Sequence, residues 1–228
     1  MMWNFKKYSQ NTALETADSR MTYEELEQAG NELAESVGRC LVFSLCTNSI
    51  GSVVGYTGFI QNKTVPLLLS AHLDKKLLLS LADTYHPSYF WYPEEVDIMA
   101  AGITGNVVFE KHGYCLLKSD YSDKEQTLYS ELALLLTTSG STGSPKLVRQ
   151  SYENIKTNTE QIVEYLKIDS LERPVTTLPM NYTYGLSIIN SHLMAGASVC
   201  FTDSTIMQKG FWNFFKEKKC TSFSGVPY

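Results

Sequence analysis

Cys-x-x-Cys pairs, a polybasic arm and a histidine cluster are all missing from this 228-residue chain, and each absence closes a class of function. Without close Cys or His spacings no structural zinc site is predicted. With 19 Lys and Arg against 24 Asp and Glu, the net charge of −5 gives no general attraction to nucleic acid or anionic membrane. The five cysteines, Cys40, Cys46, Cys115, Cys200 and Cys220, are odd in number and scattered, which fits reduced, buried thiols and a cytoplasmic setting. The start, Met1-Met2-Trp3-Asn4-Phe5-Lys6-Lys7, lacks the apolar run of a signal peptide. Charged residues are also few, 19% of the chain, and none lies between Arg39 and Lys63. That stretch is long enough to span a bilayer. It carries Ser44, Thr47, Asn48, Ser49, Ser52, Asn62 and three glycines, however, so a buried strand, a turn and a helix are expected rather than a membrane span.

Hydrophobic residues make up 43% of the sequence, enough for a substantial core, and they are patterned. Thr22-Tyr23-Glu24-Glu25 reads as a capping box, followed by Leu26, Ala29, Leu33 and Val37 at helical spacing. Strands are expected at 41–45, 64–68 and 88–92, with helices at 50–61 and, capped by Asp74, up to about 83. Short strands should flank a turn at Lys111-His112-Gly113, and the polar stretch 118–126 reads as an exposed loop or linker. Alternation then resumes: strands at 132–138, 175–178, 198–201 and 221–223, and helices at 151–166, 186–194 and 205–218. Strand–helix alternation with short connections predicts an α/β fold of layered subdomains with largely parallel sheets.

The chemistry concentrates in Leu134-Leu135-Leu136-Thr137-Thr138-Ser139-Gly140-Ser141-Thr142-Gly143-Ser144-Pro145-Lys146. An apolar strand runs into a loop of hydroxyl residues and glycines that closes on proline and lysine. Glycines let backbone N–H groups approach an anion, hydroxyls add donors, and a lysine adds a compact positive charge that can follow a phosphate in motion. This is not a P-loop: two residues, not four, separate Gly140 from Gly143, and Lys146 lies three beyond. No G-x-G-x-x-G occurs, so a Rossmann dinucleotide site has no support.

Thr137 to Lys146 resembles the phosphate-binding signature of the adenylate-forming superfamily, which includes acyl- and aryl-CoA synthetases, luciferases and the adenylation domains of peptide synthetases. Leu147 stands where that family usually has glycine. Ser151-Tyr152-Glu153-Asn154 resembles the family's following helix start, with Tyr152 in place of histidine. Met21 to Leu26 with Asn31 to Ala34 is similar to an early family helix, Pro179 to Gly185 to the P-x-x-H-x-x-G segment, and Gly225-Val226-Pro227 to the G-V-P before a pocket helix.

The resemblance implies a two-step ligase. A carboxylate attacks the α-phosphorus of ATP, pyrophosphate leaves, and a thiol of CoA or of a carrier protein takes the acyl group. Thr138, Ser139, Gly140, Ser141, Thr142, Gly143 and Lys146 would hold the ATP phosphates with Mg²⁺ assisting, Lys146 and Thr142 being the catalytic pair. Tyr182, Tyr184, Gly185, Gly225, Val226 and Pro227 would border the acid, with Tyr152, Tyr165 and Phe223 as further aromatic candidates. Thr183 follows Tyr182 where amino-acid-activating relatives commonly carry aspartate, which favours a plain carboxylic acid. The family's Y-G-x-T-E segment, ribose-binding aspartate and distal lysine find no match up to Tyr228. The chain is therefore expected to be the first part of a large N-terminal adenylation domain, without its remainder or the small mobile domain, inactive alone and inclined to self-associate. The alternative is a non-catalytic nucleotide- or polyphosphate-binding module, or an interaction domain, of the same fold.

Overall fold

A computed structural model describes residues 2–123, 127–137 and 146–225. In chain order its elements are β1 (Thr12–Glu15), β2 (Arg20–Thr22), α1 (Tyr23–Glu35), β3 (Leu41–Cys46), α2 (Ile50–Gln61), β4 (Val65–Ser70), α3 (Lys75–Tyr85), β5 (Tyr89–Pro93), β6 (Gly105–Lys111) and β7 (Tyr114–Ser119). There follow β8 (Leu132–Thr137), β9 (Leu147–Ser151), α4 (Tyr152–Leu166), β10 (Pro174–Thr176), α5 (Thr183–Ala195), β11 (Val199–Phe201), α6 (Lys209–Glu217) and β12 (Ser222–Phe223). Two compact units result: one of Ala29–Thr47 with Gly51–Tyr152, the other of Met1–Gln28, Asn48–Ile50 and Glu153–Tyr228.

The first unit holds a seven-stranded sheet in the order β6-β7-β5-β3-β4-β8-β9. Its centre, β5, β3, β4 and β8, is parallel, while β7, β6 and β9 are added antiparallel. Parallelism is thus confined to the middle of this sheet, a narrower result than the alternation predicts, because hairpins extend both edges. The uncharged stretch becomes β3, buried at all six positions, and α2, buried from Gly51 to Ile60. No helix among the described residues is long and apolar enough to cross a membrane. Glycine in α2 serves close packing: a Cβ on Gly58 would come within 2.8 Å of Gly30 on α1, and one on Gly55 within 2.2 Å of Trp91. Phe43, Leu45, Leu67, Leu69 and Phe90 form the core of one sheet face, each side chain contributing about 1.5–3 kcal/mol through burial.

The linker expected at 118–126 begins later than the sequence suggests. Lys118 and Ser119 belong to β7, where Ser119 pairs with Gly105 and its Oγ donates to the carbonyl of Ser88 at 3.3 Å. Asp74 caps α3 as expected, its Oδ1 accepting from the amides of Lys76 and Leu77 at 3.1 Å each.

The second unit holds a five-stranded sheet, β12-β10-β11-β1-β2, parallel except for the β1–β2 pair. The capping box forms as read: Glu25 N donates to Thr22 Oγ1 at 3.2 Å and Thr22 N to Glu25 Oε2 at 2.7 Å. Tyr23 is fully buried and its hydroxyl donates to the carbonyl of Ala197 at 2.6 Å; burial raises its phenol above the ordinary range. Strands β1 and β2 were not foreseen. They are short, and β1 is fixed by parallel pairing with β11, Leu14 opposite Val199, a partner remote in sequence.

Candidate functional site

Open α/β sheets commonly bind ligands where the strand order reverses. In the seven-stranded sheet that point lies between β3 and β5, since β3 leads to β4 on one side and β4 returns to β5 on the other. The crevice is filled from within. The Tyr114 hydroxyl donates to the carbonyl of Leu45 at 3.2 Å, accepts from Thr47 N at 3.2 Å, and shares hydrogen bonds with Thr47 Oγ1 and Ser52 Oγ. Its ring leaves no room for a side chain at Gly51, where a Cβ would lie 2.4 Å away. The Trp91 indole donates to the carbonyl of Gly51 at 3.0 Å. Nor does Cys46, buried at the end of β3, offer a nucleophile here: burial pushes its thiol up to about 12.

The chemistry-bearing segment lies at the other side of the same sheet. β8 and β9 form an antiparallel pair that runs from Leu132 opposite Ser151 to Thr137 opposite Leu147. Helix α4 starts only after β9, at Tyr152. Strand β9 was not foreseen: the sequence reading assigns no element between Lys146 and Ser151. It pairs on one side only and has no buried position, so it lacks the apolar run of β8. Lys146 is exposed and immediately precedes β9. Thr138, Ser139, Gly140, Ser141, Thr142 and Gly143 lie outside the described residues, as do Val226 and Pro227.

The other candidates belong to the second unit. Tyr182 stands at the start of α5 with extended backbone, 51% exposed, and Tyr184 in the first turn is 46% exposed. Gly185 is required by packing, since a Cβ there would lie 2.3 Å from the Pro179 carbonyl oxygen. Asn48, which the sequence marked only as a turn residue, holds this segment: its Nδ2 donates to the carbonyl of Leu178 at 3.1 Å and its Oδ1 accepts from Met180 N at 3.3 Å. Gly225 meets open space. The remaining aromatics do not gather into one pocket. Tyr165 is 84% exposed at the end of α4, and Phe223 packs in a cluster with Phe211, Trp212 and Phe215. The Tyr152 hydroxyl accepts from Arg39 at 3.4 Å.

Comparison with known proteins accords with this arrangement. Residues 64–228 match the profile of the family described as AMP-binding enzyme. Oxalate–CoA ligase of Saccharomyces cerevisiae is 34% identical over 99 residues, 43% of this chain and 18% of the ligase. The 3,4-dihydroxybenzoate–[aryl-carrier protein] ligase of Bacillus anthracis is 28% identical over 166 residues, 72% of this chain and 34% of that protein. Among solved structures, O-succinylbenzoate coenzyme A synthetase (MenE) of Bacillus subtilis in complex with AMP superposes with a TM-score of 0.74 at 19% identity, covering 97% of this chain and 61% of that one. The same synthetase with ATP and magnesium ion gives a TM-score of 0.70 at 18% identity, covering 96% and 62%. The chain thus spans under two thirds of the length of each relative, and the structural likeness establishes the α/β fold.

Proposed function

The chain belongs to the family of AMP-binding enzymes, and from that premise we propose that it supplies the phosphate-binding part of a ligase that activates a carboxylic acid as its acyl-adenylate. ATP loses pyrophosphate in that step, and the acyl group then passes to a thiol of CoA or of a carrier protein. The observation that carries the reading is the sequence of 138–146, which lies between the paired strands β8 and β9. Displacement at phosphorus depends chiefly on positioning and charge neutralisation. Its donor set of hydroxyls, glycine N–H groups and one ammonium suits a polyphosphate. Mg²⁺ would arrive with the phosphates and would neutralise part of their charge. Lys146 places a positive charge where pyrophosphate departs, and Ser139, Ser141 and Thr142 donate to its oxygens. Tyr182 and Tyr184 offer exposed rings at a helix start to border the acid, and Thr183 leaves no anionic partner for an ammonium group.

The test is calorimetric titration of the chain with Mg-ATP and with Mg-pyrophosphate. Binding is expected with both. Lys146→Ala should weaken pyrophosphate binding by about tenfold to a hundredfold, the loss of one charge-assisted contact, with an unchanged melting temperature. No heat from either ligand would overturn the reading, and equal affinity in Lys146→Ala would remove the lysine from it.

A further inference from the structure

The fold of the second unit brings together two thiols that are distant in sequence. Cys200 lies on β11 and is fully buried, whereas Cys220 follows α6, is 8% exposed and stands between the exposed Lys219 and Thr221. Both belong to one apolar cluster with Val175, Phe211 and Phe214. Their side chains are hydrogen-bonded to each other. The Cys200 Sγ has a second acceptor in reach, the carbonyl of Ser198 at 3.8 Å. The backbone around Cys220 is held on both sides: its own N donates to the carbonyl of Phe215 at 2.9 Å, and Thr221 N donates to the carbonyl of Arg173 at 2.9 Å. Two thiols in hydrogen-bond contact need only a small side-chain movement to bring their sulfurs to the roughly 2 Å of a disulfide.

The surroundings distinguish the two sulfurs. Arg173 Nε donates to the carbonyl of Lys218 at 2.8 Å, and its Nη2 pairs with Glu15, which stands opposite Cys200 in the β1–β11 register. A guanidinium is thereby fixed beside the pair. The hydrogen bond from Cys200 holds the Cys220 thiol below its ordinary value against burial, with the Arg173 charge assisting. The same bond, with burial, raises Cys200. The thiolate is the nucleophile of sulfur chemistry, and a readily ionised thiol beside a protonated one divides the work into attack and resolution. The other thiols lack such a partner in place: Cys40 precedes β3 and Cys46 ends it, so the length of a strand separates them, and Cys115 faces Glu110.

We infer that Cys200 and Cys220 form a hydroperoxide-reactive dithiol, a site of reversible oxidation to a disulfide within the chain. The Cys220 thiolate attacks one peroxide oxygen; the S–O bond forms as the O–O bond breaks, and the departing oxygen takes up the proton that Cys220 had released. The Cys200 sulfur then attacks the sulfenic sulfur. Its proton goes to the hydroxyl, which leaves as water as the S–O bond breaks and the S–S bond forms. The two thiols lose two electrons and the peroxide gains them. A thiol reductant reverses the change by exchange. The inference is independent of the polyphosphate reading.

In the experiment the folded parent chain is treated with hydrogen peroxide, its remaining thiols are alkylated in urea, and its peptides are mapped by mass spectrometry. The expected product joins the Cys200 peptide to the Cys220 peptide, lighter by two hydrogens, and dithiothreitol restores both thiols. Cys40, Cys46 and Cys115 should be recovered alkylated. Peroxide treatment of the chain unfolded in urea should lose this preference, because nearness in sequence then favours Cys40 with Cys46. Recovery of all five thiols, a different pair in the folded chain, over-oxidation without a cross-link, or a cross-link formed only between molecules would each overturn the inference. In Cys200→Ser, dimedone should capture Cys220 as its sulfenic acid, and a folded variant without that adduct would remove Cys220 as the attacking thiol. If the variant does not fold, the peptide map of the parent decides.

Discussion

The two hairpins at the edges of the seven-stranded sheet are built alike and closed differently. Strands β6 and β7 pair up to Lys111 opposite Tyr114, and the two residues between them, His112 and Gly113, both take left-handed backbone with φ of 53° and 72°. That is the pattern of a type I′ turn, whose twist matches that of the strands. Lys111 beside the turn pairs with Glu32 of α1. Strands β8 and β9 pair up to Thr137 opposite Leu147, and the connection between them is the long hydroxyl-rich segment. In the first hairpin the turn itself sets the register, so its tip has no spare residues for chemistry. In the second the described pairing ends at Thr137 opposite Leu147, and Arg39 engages the main chain of Tyr129, Ser130 and Leu132 at the opposite end. The cost of a change should therefore be read in stability at the first hairpin and in ligand affinity at the second.

Removing Tyr114 is the strongest way to test that division. The ring is buried, lies 5.1 Å from the Trp91 ring by centroids, and carries the hydroxyl that fills the crevice between β3 and β5. Tyr114→Ala should destabilise the chain by about 3–5 kcal/mol in urea unfolding. Tyr114→Phe should cost about 1–3 kcal/mol, because the groups around the hydroxyl remain buried without it. The molecules still folded should bind Mg-pyrophosphate as the parent does. If affinity falls as steeply as stability, the two edges are not independent. At the turn, a Cβ on Gly113 would meet nothing within 4 Å, and it is the left-handed φ that resists a β-branched residue in Gly113→Val. A loss of about 1–2 kcal/mol is expected in the same urea curves. No loss would mean that the turn rearranges and does not set the register. Lys146→Ala, by contrast, should leave those curves within about 0.5 kcal/mol of the parent.

The two hairpins also differ in how far the sequence disclosed them. Lys111-His112-Gly113 between apolar runs is local turn chemistry, and it became a turn at the expected place. The strand before the hydroxyl-rich segment was equally plain, because the apolar run Leu132 to Thr137 is a local pattern too. What remained hidden depends on distant main-chain partners. Strand β9 is one-sided and half polar, so no hydrophobic alternation marks it. Four of the five groups that Arg39 engages are backbone carbonyls, which no residue type advertises. Asn48 is of the same kind, holding the main chain of Leu178 and Met180 from across the sequence. Local turn and cap chemistry was thus readable from the sequence, and side chains that hold distant main chain were not.

Alkaline pH should separate the edges once more, with the smallest effect. Beside the tight hairpin, Tyr92 on β5 faces Cys115 on β7, with Glu110 on β6 opposite that cysteine. Burial, with Cys115 and Glu110 adding to it, pushes the Tyr92 phenol up to about 12, and burial with Glu110 and Glu94 raises the Cys115 thiol. Both groups hold their protons more firmly folded than unfolded. Their contribution is therefore fully present below the ordinary thiol and phenol values of 9.0 and 10.0, and it declines as pH rises through them toward about 12. Strands β8 and β9 contain one ionisable side chain, Arg149, which stays cationic throughout that range. Urea unfolding between about pH 8 and pH 10.5 should show falling stability in the parent and a shallower fall in Tyr92→Phe, which has no proton to lose. Arg149→Gln should keep the parent's slope. An unchanged slope in Tyr92→Phe would show that the phenol is not held neutral by the β5–β7–β6 edge. The tight hairpin would then be distinguished from the wide one by its turn alone.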